Sequence, residues 1–350
     1  MLWDGIARRA FGLGGGGSTS MADNTALAQP VMQRAKLGIA LGGGAARGWA
    51  HIGVLQALHK AGIRPDVMAG TSIGAVVGGC YAAGKLDELE VFARTLTKRR
   101  VISLMDFHLG GPGLIAGGRL KRLLDRDLGA RRIETLPFRY ATIATELGSG
   151  HEIWLTEGPI VEAMRASYAL PGVFDPVRLG GRWLMDGALV NPVPVTACRA
   201  MGAEVVLCVN LNGDGGGRGT TIQSHIADPD PLHVQADPAD DGVASRGWFA
   251  PVRDVASRLR SMASPRRGYT SPGLAGVMVD AFNITQDRIA RSRLAGDPPD
   301  LMVSPKLGKI GLFDFHRAEE VIELGRMAAE RSIDDLKATL AASEIGRAHV

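Results

Sequence analysis

The pentapeptide Gly70-Thr71-Ser72-Ile73-Gly74 constrains the fold of this chain more than any other feature. It follows the apolar run 67–69 and precedes a run of small residues, so the local order is strand, tight turn, helix. Glycines two positions before and after Ser72 let the flanking backbone pass closely, because neither carries a Cβ. The Ser72 hydroxyl would then stand at a helix N-terminus, which favours developing negative charge. The pattern G-x-S-x-G therefore predicts a nucleophile elbow, although a chain with 47 glycines can also contain it by chance.

A second glycine-rich segment, Gly42-Gly43-Gly44-Ala45-Ala46-Arg47-Gly48, lies between an apolar run and a helical spacing of apolar residues. This order turns backbone N–H groups toward an anion. As a dinucleotide fingerprint the segment matches imperfectly, and the next strand ends at Ser72 without a carboxylate to hold a ribose. A P-loop fails because Trp49-Ala50 follow the last glycine. An oxyanion hole opposite Ser72 is the interpretation that accounts for both glycine motifs together.

Asp186 follows the predicted strand 182–185 and precedes Gly187-Ala188. A carboxylate at a strand end is a common position for a catalytic group, and the alternative is a turn aspartate that caps the next helix. A serine nucleophile needs a base, which is usually a histidine oriented by a carboxylate. No histidine has the context of such a base: His225 and His233 lie in a segment without pattern, His316 opens a helix, His349 is in the tail, and His51 is expected to pack or cap.

Composition excludes several classes of protein. The 350 residues, 45% of them apolar, can bury a full α/β core, and no run of 18 apolar residues is present that could span a membrane. The net charge is only +4, so the basic clusters 98–100 and 131–132 are expected to be solvated faces, and no nucleic-acid partner is expected. Three cysteines without metal-ligand spacing (Cys80, Cys198 and Cys208) indicate buried free thiols in a reducing compartment.

The hydrophobic periodicity predicts an α/β chain with alternating elements. Strands are expected over 36–41, 67–69, 140–147, 151–155, 182–185, 204–210 and 300–303, and helices over 49–61, 75–83, 86–96, 119–128, 160–167, 195–201, 274–294 and 315–340. Composition predicts a disordered leader (1–35) and a flexible insertion at 212–273. The motifs all lie within 36–201, which is expected to be the catalytic domain, and 202–343 is expected to be a C-terminal extension of the same fold. Residues 344–350 are predicted to be a sequence artefact.

The three motifs, taken in order, resemble the bacterial patatin-like phospholipases, and among them the neuropathy-target-esterase type. The glycine loop continues into Trp49-Ala50-His51-Ile52-Gly53-Val54-Leu55, and Ala166-Ser167-Tyr168-Ala169-Leu170-Pro171-Gly172 lies between the elbow and Asp186. The resemblance is strong over 36–201, and Gly311-Leu312-Phe313-Asp314-Phe315 resembles the C-terminal part of that branch. It implies a three-layer αβα fold with a mainly parallel central sheet, related to the α/β hydrolases.

The resemblance also implies a serine–aspartate dyad in place of a triad, with Ser72 as the nucleophile and Asp186 as its direct base. The backbone N–H groups of Gly43, Gly44 and Ala45 would stabilise the tetrahedral oxyanion. Supporting roles would fall to Gly42, Arg47 and Gly48 in the loop, Gly70 and Gly74 at the elbow, and Gly187 and Ala188 beside the base. Because a carboxylate is a weak base near pH 7, such a dyad needs desolvation to raise its proton affinity. Ala45 departs from many relatives, which carry a fourth glycine there.

The family's substrates are fatty-acyl esters of phospholipids or lysophospholipids, cleaved through an acyl-enzyme without a metal or other cofactor. We therefore expect a cytoplasmic lipid acyl hydrolase that binds no nucleotide. It would contact the inner face of the membrane transiently, through the loop 109–115 or the insertion. The alternative is a catalytically weak protein that keeps the fold as a regulatory or acyl-binding partner, and the presence of both Ser72 and Asp186 argues against it.

Overall fold

The computed structural model of the protein describes residues 34–106, 113, 115–213 and 274–347. Most of the predicted leader, nearly all of the predicted insertion and most of the loop 109–115 therefore lie outside the described residues, as do His225, His233 and His349. None of the helices in the described ranges combines the length and apolar character that a membrane crossing needs.

Eight strands in the described part of the chain form one sheet. They are β1 (Leu37–Leu41), β2 (Val67–Thr71), β3 (Arg139–Glu146), β4 (Glu152–Leu155), β5 (Val177–Leu179), β6 (Arg182–Asp186), β7 (Val205–Val209) and β8 (Leu301–Val303). The strand order is β5-β6-β3-β2-β1-β7-β8, and β4 also pairs with β3. The pairs from β3 through β2, β1 and β7 to β8 are parallel, and those of β4, β5 and β6 are antiparallel. Strands β1, β2 and β7 are buried at every position, which explains their short continuous apolar runs.

Helices cover both faces of this sheet. They are α1 (Ala50–Lys60), α2 (Ile73–Ala82), α3 (Leu86–Arg94), α4 (Lys98–Leu104), α5 (Gly118–Leu128), α6 (Ile160–Tyr168), α7 (Val195–Ala200), α8 (Leu274–Gly296), α9 (Ala318–Glu330) and α10 (Ile333–Arg347). Successive residues of β1 belong to two different cores, because side chains alternate across a strand. Ile39 joins the larger core with α1, α2, α6 and α9, and Ala40 joins the smaller core with α7 and Ala290 of α8. The predicted three-layer fold with a mainly parallel sheet is thus confirmed.

The predicted elements match the observed ones to within a few residues, with three differences. The helix expected over 315–340 is a 3-10 turn at Phe315–Arg317 followed by α9 and α10. The break between those two helices is a tight turn in which the Ser332 N–H donates to Ala329 O, and it places Leu336 in the core. Strand β5 and helix α4 were not predicted, since β5 has three residues and α4 buries none of its side chains. Cys80, Cys198 and Cys208 are buried and free, as predicted.

Helices α1 and α9 cross so closely that glycine is required on each. A Cβ on Gly53 would stand 1.9 Å from the carbonyl oxygen of Ile322, and a Cβ on Gly325 would stand 2.0 Å from that of Ala50. Both contacts are with rigid backbone, so neither can be relieved by a side chain moving away. This crossing holds the C-terminal part of the chain against the helix that follows the glycine loop.

We predict that Gly53→Ala destabilises the fold by about 1–3 kcal/mol or more, because the helices must separate to admit the methyl group. Gly296→Ala is the matched control, since a Cβ there meets no heavy atom within 4 Å. It should change the free energy of unfolding by less than about 0.5 kcal/mol. Urea unfolding of both variants measures the difference, and equal stabilities would contradict the close crossing.

Candidate active site

Ser72 occupies a strained turn between β2 and α2. Its φ of 55° and ψ of −121° lie in a region that residues with a side chain rarely adopt. A Cβ on Gly70 would stand 2.5 Å from Gly74 O, and a Cβ on Gly74 would stand 2.2 Å from Leu41 O. The two glycines of the motif are therefore required by close approach of the backbone. The local geometry is that of the nucleophile elbow which the sequence predicts.

The Ser72 hydroxyl donates a hydrogen bond of 2.6 Å to Oδ2 of Asp186, 114 residues later in the chain. The other carboxylate oxygen, Oδ1, accepts a 2.8 Å bond from the N–H of Ala188 in the short turn that Gly187 opens. Asp186 is thus both a capping residue and a hydrogen-bond partner of the serine. Only 2% of Asp186 is exposed.

Strand β3 brings the two side chains together. The last residue of β2, Thr71, pairs with Ile143, and the last residue of β6, Asp186, pairs with the next residue, Ala144. The Thr145 hydroxyl also donates to Asp186 O at 2.8 Å. Because β2 and β6 end at neighbouring positions of one strand, Ser72 and Asp186 meet although they are remote in sequence.

Burial raises the pKa of Asp186 from 3.8 to about 7, because a carboxylate is poorly solvated there. The hydrogen bonds from Ser72 and from the Ala188 N–H lower it, but they offset only part of the cost of burial. A carboxyl group with a pKa near 7 is a much stronger base than a solvated aspartate, and it is still ionised in a large fraction of molecules at neutral pH. It can therefore accept the proton of a serine hydroxyl.

His51 supports the glycine loop and does not contact the serine. Its ring is fully buried, and Nε2–H donates a 2.7 Å bond to Gly42 O. Burial lowers the pKa of His51 to about 4, so the ring is neutral near pH 7. Among the described residues, neither Ser72 nor Asp186 has a hydrogen bond from a histidine. The described part of the site therefore contains a serine–aspartate pair without the histidine of a triad.

The glycine loop offers two free N–H groups beside Ser72, where the sequence suggested three. The N–H of Gly43 donates to Pro192 O at 3.0 Å and is therefore engaged. The N–H groups of Gly44 and Ala45 have no acceptor within the described ranges, and both residues line the same cavity as Ser72 and Asp186. Gly43 remains close, since a Cβ on it would stand 3.6 Å from the Ser72 Cβ.

Contacts with distant parts of the chain fix this loop. The Arg47 guanidinium donates to Ile310 O at 2.9 Å and to Asn212 Oδ1 at 3.2 Å, as expected for a residue that holds the loop. Three further contacts are the Gly42 N–H to Val209 O, the Ala46 N–H to Leu312 O, and Gly48 against the side chain of Ile73. Ala45 has a φ of 48°, in the left-handed region, where a glycine would be unstrained.

Ser167 supports the elbow, a role that the sequence analysis did not assign. Its hydroxyl accepts a 2.9 Å bond from the Ser72 N–H and donates a 2.6 Å bond to Ile143 O. One buried side chain therefore links the backbone of the strained turn to that of β3. The segment around Ser167 was recognised as a motif, but a hydroxyl that acts on the backbone leaves no distinctive signal in one sequence.

Helix α8 is tied to the turn that follows Asp186. Arg293 donates to Glu152 Oε2 at 2.7 Å and to Val190 O at 3.1 Å. The side-chain amide of Asn191 donates to Glu152 Oε1 at 2.7 Å, and the backbone carbonyl of Asn191 accepts a 2.8 Å bond from the Thr71 hydroxyl. Nearer the N-terminus of α8, the side chain of Gln286 lies close to Gly43. Gln286 and Asn283 both line the cavity. The C-terminal part of the chain thus completes the walls of the site.

An apolar cavity of about 210 Å³ extends from Ser72 and Asp186 along one face of α2. Ser72, Val76 and Cys80 follow one another at four-residue spacing, so this wall is about 12 Å long. The facing walls are mostly leucine, phenylalanine and valine from α3, α4, α5 and the segment 312–315. Beyond Cys80 the lining becomes charged, with Lys85, Glu88 and Asp127. The shape and polarity fit a single extended hydrocarbon chain.

A three-layer α/β fold with an apolar cavity of this kind is typical of lipid ester hydrolases. Residues 39–199 match the family described as patatin-like phospholipase. Uncharacterised NTE family proteins of Mycobacterium tuberculosis and Mycobacterium bovis are each 34% identical to this chain over 332 residues, 85% of this chain and 91% of theirs. The lysophospholipase NTE1 of Yarrowia lipolytica is 35% identical over 186 residues, 52% of this chain and 13% of its own. The chain belongs to the NTE type of the patatin-like phospholipase family, as the motifs predicted.

Family membership supports lipid ester hydrolysis as the general activity. Among solved structures, VipD from Legionella pneumophila aligns over 87% of this chain and 67% of its own, at 13% identity. Its TM-score of 0.39 is too low to carry an argument.

We predict that kcat/KM for a soluble ester rises with pH and reaches half of its maximum near pH 7, because Asp186 must be ionised to accept a proton. The rate should fall about tenfold for each pH unit well below 7. Measurement of kcat/KM between pH 5 and pH 9 tests this, and a midpoint near 4 would show that Asp186 is solvated or that another group is the base.

Asp186→Asn should be inactive and more stable than the wild type at alkaline pH. The folded carboxyl group has a pKa of about 7 against 3.8 when solvated, so the folded state holds the proton more tightly and stability falls as pH rises through that interval. The asparagine cannot ionise and avoids this loss. The free energy of unfolding of Asp186→Asn, taken relative to the wild type, should be at least about 1 kcal/mol higher at pH 8 than at pH 4. Urea unfolding of both proteins at both pH values measures it.

Proposed function

We propose that the protein is a serine lipid acyl hydrolase that cleaves fatty-acyl esters of phospholipids or lysophospholipids through an acyl-enzyme on Ser72. The observation that carries the proposal is the 2.6 Å hydrogen bond from the strained Ser72 hydroxyl to the buried carboxylate of Asp186, at the end of an apolar cavity. Burial of a carboxylate destabilises the folded state, and the hydrogen bonds to Asp186 from one hydroxyl and one N–H offset only part of that loss. A catalytic role accounts for its retention.

In the first half-reaction, Asp186 takes the proton of the Ser72 hydroxyl as Oγ attacks the carbonyl carbon of the ester. The carbonyl oxygen becomes an oxyanion, which the N–H groups of Gly44 and Ala45 are placed to bind. Collapse of the tetrahedral intermediate breaks the bond to the alcohol oxygen, which receives the proton from Asp186. Each N–H donor to an oxyanion is typically worth about 2.7–4 kcal/mol of barrier. The loop therefore matters nearly as much as the base.

In the second half-reaction, water replaces the alcohol. Asp186 takes one proton from that water as its oxygen attacks the acyl carbon, and the same two N–H groups bind the second oxyanion. The bond to Ser72 then breaks, Oγ recovers the proton, and the free fatty acid leaves. No step in this sequence needs a histidine, because the raised pKa of Asp186 matches the proton affinity required near neutral pH.

The cavity binds the acyl chain in this proposal. A carbon chain with bonds of about 1.5 Å advances about 1.25 Å per carbon, so the distance from Ser72 to Cys80 accommodates about ten carbons. Beyond that point the charged groups of Lys85, Glu88 and Asp127 would be poor neighbours for a methyl end. We therefore place the preferred acyl chains in the medium range.

We predict that Ser72→Ala abolishes hydrolysis of short-chain p-nitrophenyl esters, by at least about 10³-fold, while the melting temperature is retained. The wild type should also react covalently with a fluorophosphonate probe, and Ser72→Ala should not. Ser149→Ala is the matched control, because Ser149 is an exposed turn serine and its removal should leave both readouts unchanged. Full turnover in Ser72→Ala would refute the proposed mechanism, and a folded wild type with neither turnover nor labelling would favour the acyl-binding alternative.

We predict that Val76→Phe and Cys80→Phe shorten the preferred acyl chain to different extents. Val76 lies one helical turn from Ser72 and Cys80 two turns, so the new rings would block the channel at about five and about ten carbons. The ratio of short-chain to long-chain kcat/KM should rise in both variants, with the cutoff shorter for Val76→Phe. A series of p-nitrophenyl esters of increasing length measures it. An unchanged chain-length profile in folded variants would show that the acyl chain does not lie along α2.

A further inference from the structure

Helix α4 is held at the surface by few contacts. None of its seven residues is buried. Its side chains Val101 and Leu104 line the cavity, and the Arg100 guanidinium lies 5.8 Å from the centre of the Phe92 ring. The helix therefore forms part of the cavity wall on one side and is open to solvent on the other.

The open side begins with three cations in succession, Lys98, Arg99 and Arg100, which are all exposed. Within the described ranges none of the three forms a salt bridge with a carboxylate. Two cations on neighbouring elements are paired, Arg94 with Glu90 on α3 and Lys121 with Asp125 on α5. A run of unpaired cations on one short helix favours an anionic partner outside the protein.

Large apolar side chains lie exposed beside these cations. Ile102 is 60% exposed on the same helix, one residue from the cavity-lining Val101. Phe313 is 39% exposed and itself lines the cavity, and it lies in the segment leading to the 3-10 turn Phe315–Arg317, against which α4 packs. Exposed apolar groups flanked by cations match the two layers of a bilayer surface, which are anionic headgroups above hydrocarbon.

We propose that α4 and Phe313 form the surface by which this protein docks on an anionic phospholipid bilayer. Lys98, Arg99 and Arg100 lie among the headgroups, and Ile102 and Phe313 enter the hydrocarbon layer. Val101 and Leu104 then connect the membrane surface to the cavity that leads to Ser72. The role of this surface in lipid delivery rests on the proposed function, whereas the docking itself does not. From the sequence alone, residues 98–100 are expected to be a solvated face, and membrane contact is expected at the loop 109–115 or the insertion.

The docking is tested on the full chain carrying Ser72→Ala, so that no lipid is hydrolysed during the measurement. Vesicles of phosphatidylcholine alone and of phosphatidylcholine mixed with phosphatidylglycerol are sedimented with the protein at low and high salt. We expect binding to the anionic vesicles, weaker binding to the neutral ones, and a loss of affinity as salt screens the cations. Absence of binding to anionic vesicles, or equal affinity for both kinds, overturns the proposal.

Variants of α4 locate the surface. Arg99→Ala with Arg100→Ala should weaken partitioning on anionic vesicles by about 25-fold, at about fivefold for each cation removed. Ile102→Asp should weaken binding to both kinds of vesicle. The matched controls are Arg331→Ala with Lys337→Ala, two exposed cations beside and on α10, and Leu147→Asp, an exposed leucine in the β3–β4 turn. Binding that is unchanged in the α4 variants, or equally weakened in the controls, overturns the assignment.

The same α4 substitutions in the chain with Ser72 intact separate docking from catalysis. None of Arg99, Arg100 and Ile102 lines the cavity, so kcat/KM for a soluble short-chain ester should match that of the parent protein. Release of fatty acid from anionic vesicles should fall by the same factor as binding. An equal fall on both substrates indicates damage to the site and overturns the docking role. Vesicle binding by a protein that cleaves no ester leaves the docking surface in place and refutes the proposed function alone.

Discussion

The site depends on the burial of one carboxylate, that of Asp186, in hydrogen-bond contact with one hydroxyl, that of Ser72. A buried carboxylate is destabilising unless it is hydrogen-bonded, and among the described residues Asp186 has only the Ser72 hydroxyl and the Ala188 N–H as donors. The uncompensated part of that burial is what raises its pKa to about 7. Stability and proton affinity are therefore opposed at this residue: more hydrogen bonds would make the fold more stable and the base weaker. The rest of the site can be understood as the means of holding this arrangement.

Backbone strain is a second destabilising feature of the site. Ser72 in the elbow and Ala45 in the glycine loop both have positive φ angles, although neither is a glycine. Such conformations typically cost about 1–3 kcal/mol each and persist only when the surroundings fix them. Ser167 fixes the first by bonding the Ser72 N–H, and the Ala46 bond to Leu312 restrains the loop that contains the second. The two strained positions face the same cavity, so the strain is located where the proposed oxyanion would form.

The support for this site comes from almost the whole described chain. The glycine loop follows β1 but is held by Asn212, Ile310 and Leu312. The turn after Asp186 is held by Glu152 and by Arg293 of α8. Helix α9, packed on α1 through two glycines, closes the same layer. The C-terminal part of the described chain thus belongs structurally to the same fold as the residues of the site.

The sequence by itself determined the features that depend on local backbone chemistry. The elbow, the glycine loop, the alternation of strands and helices, and the candidates Ser72 and Asp186 could all be predicted, because strand and helix periods and glycine spacing act over a few residues. Only the tertiary structure decided that Pro192 engages the Gly43 N–H, that Ser167 bonds the elbow, and that α4 lies at the cavity wall with its cations on the solvent side. Each of these rests on a contact between residues far apart in the chain, and such contacts are fixed by how the layers pack and not by the local order of residues.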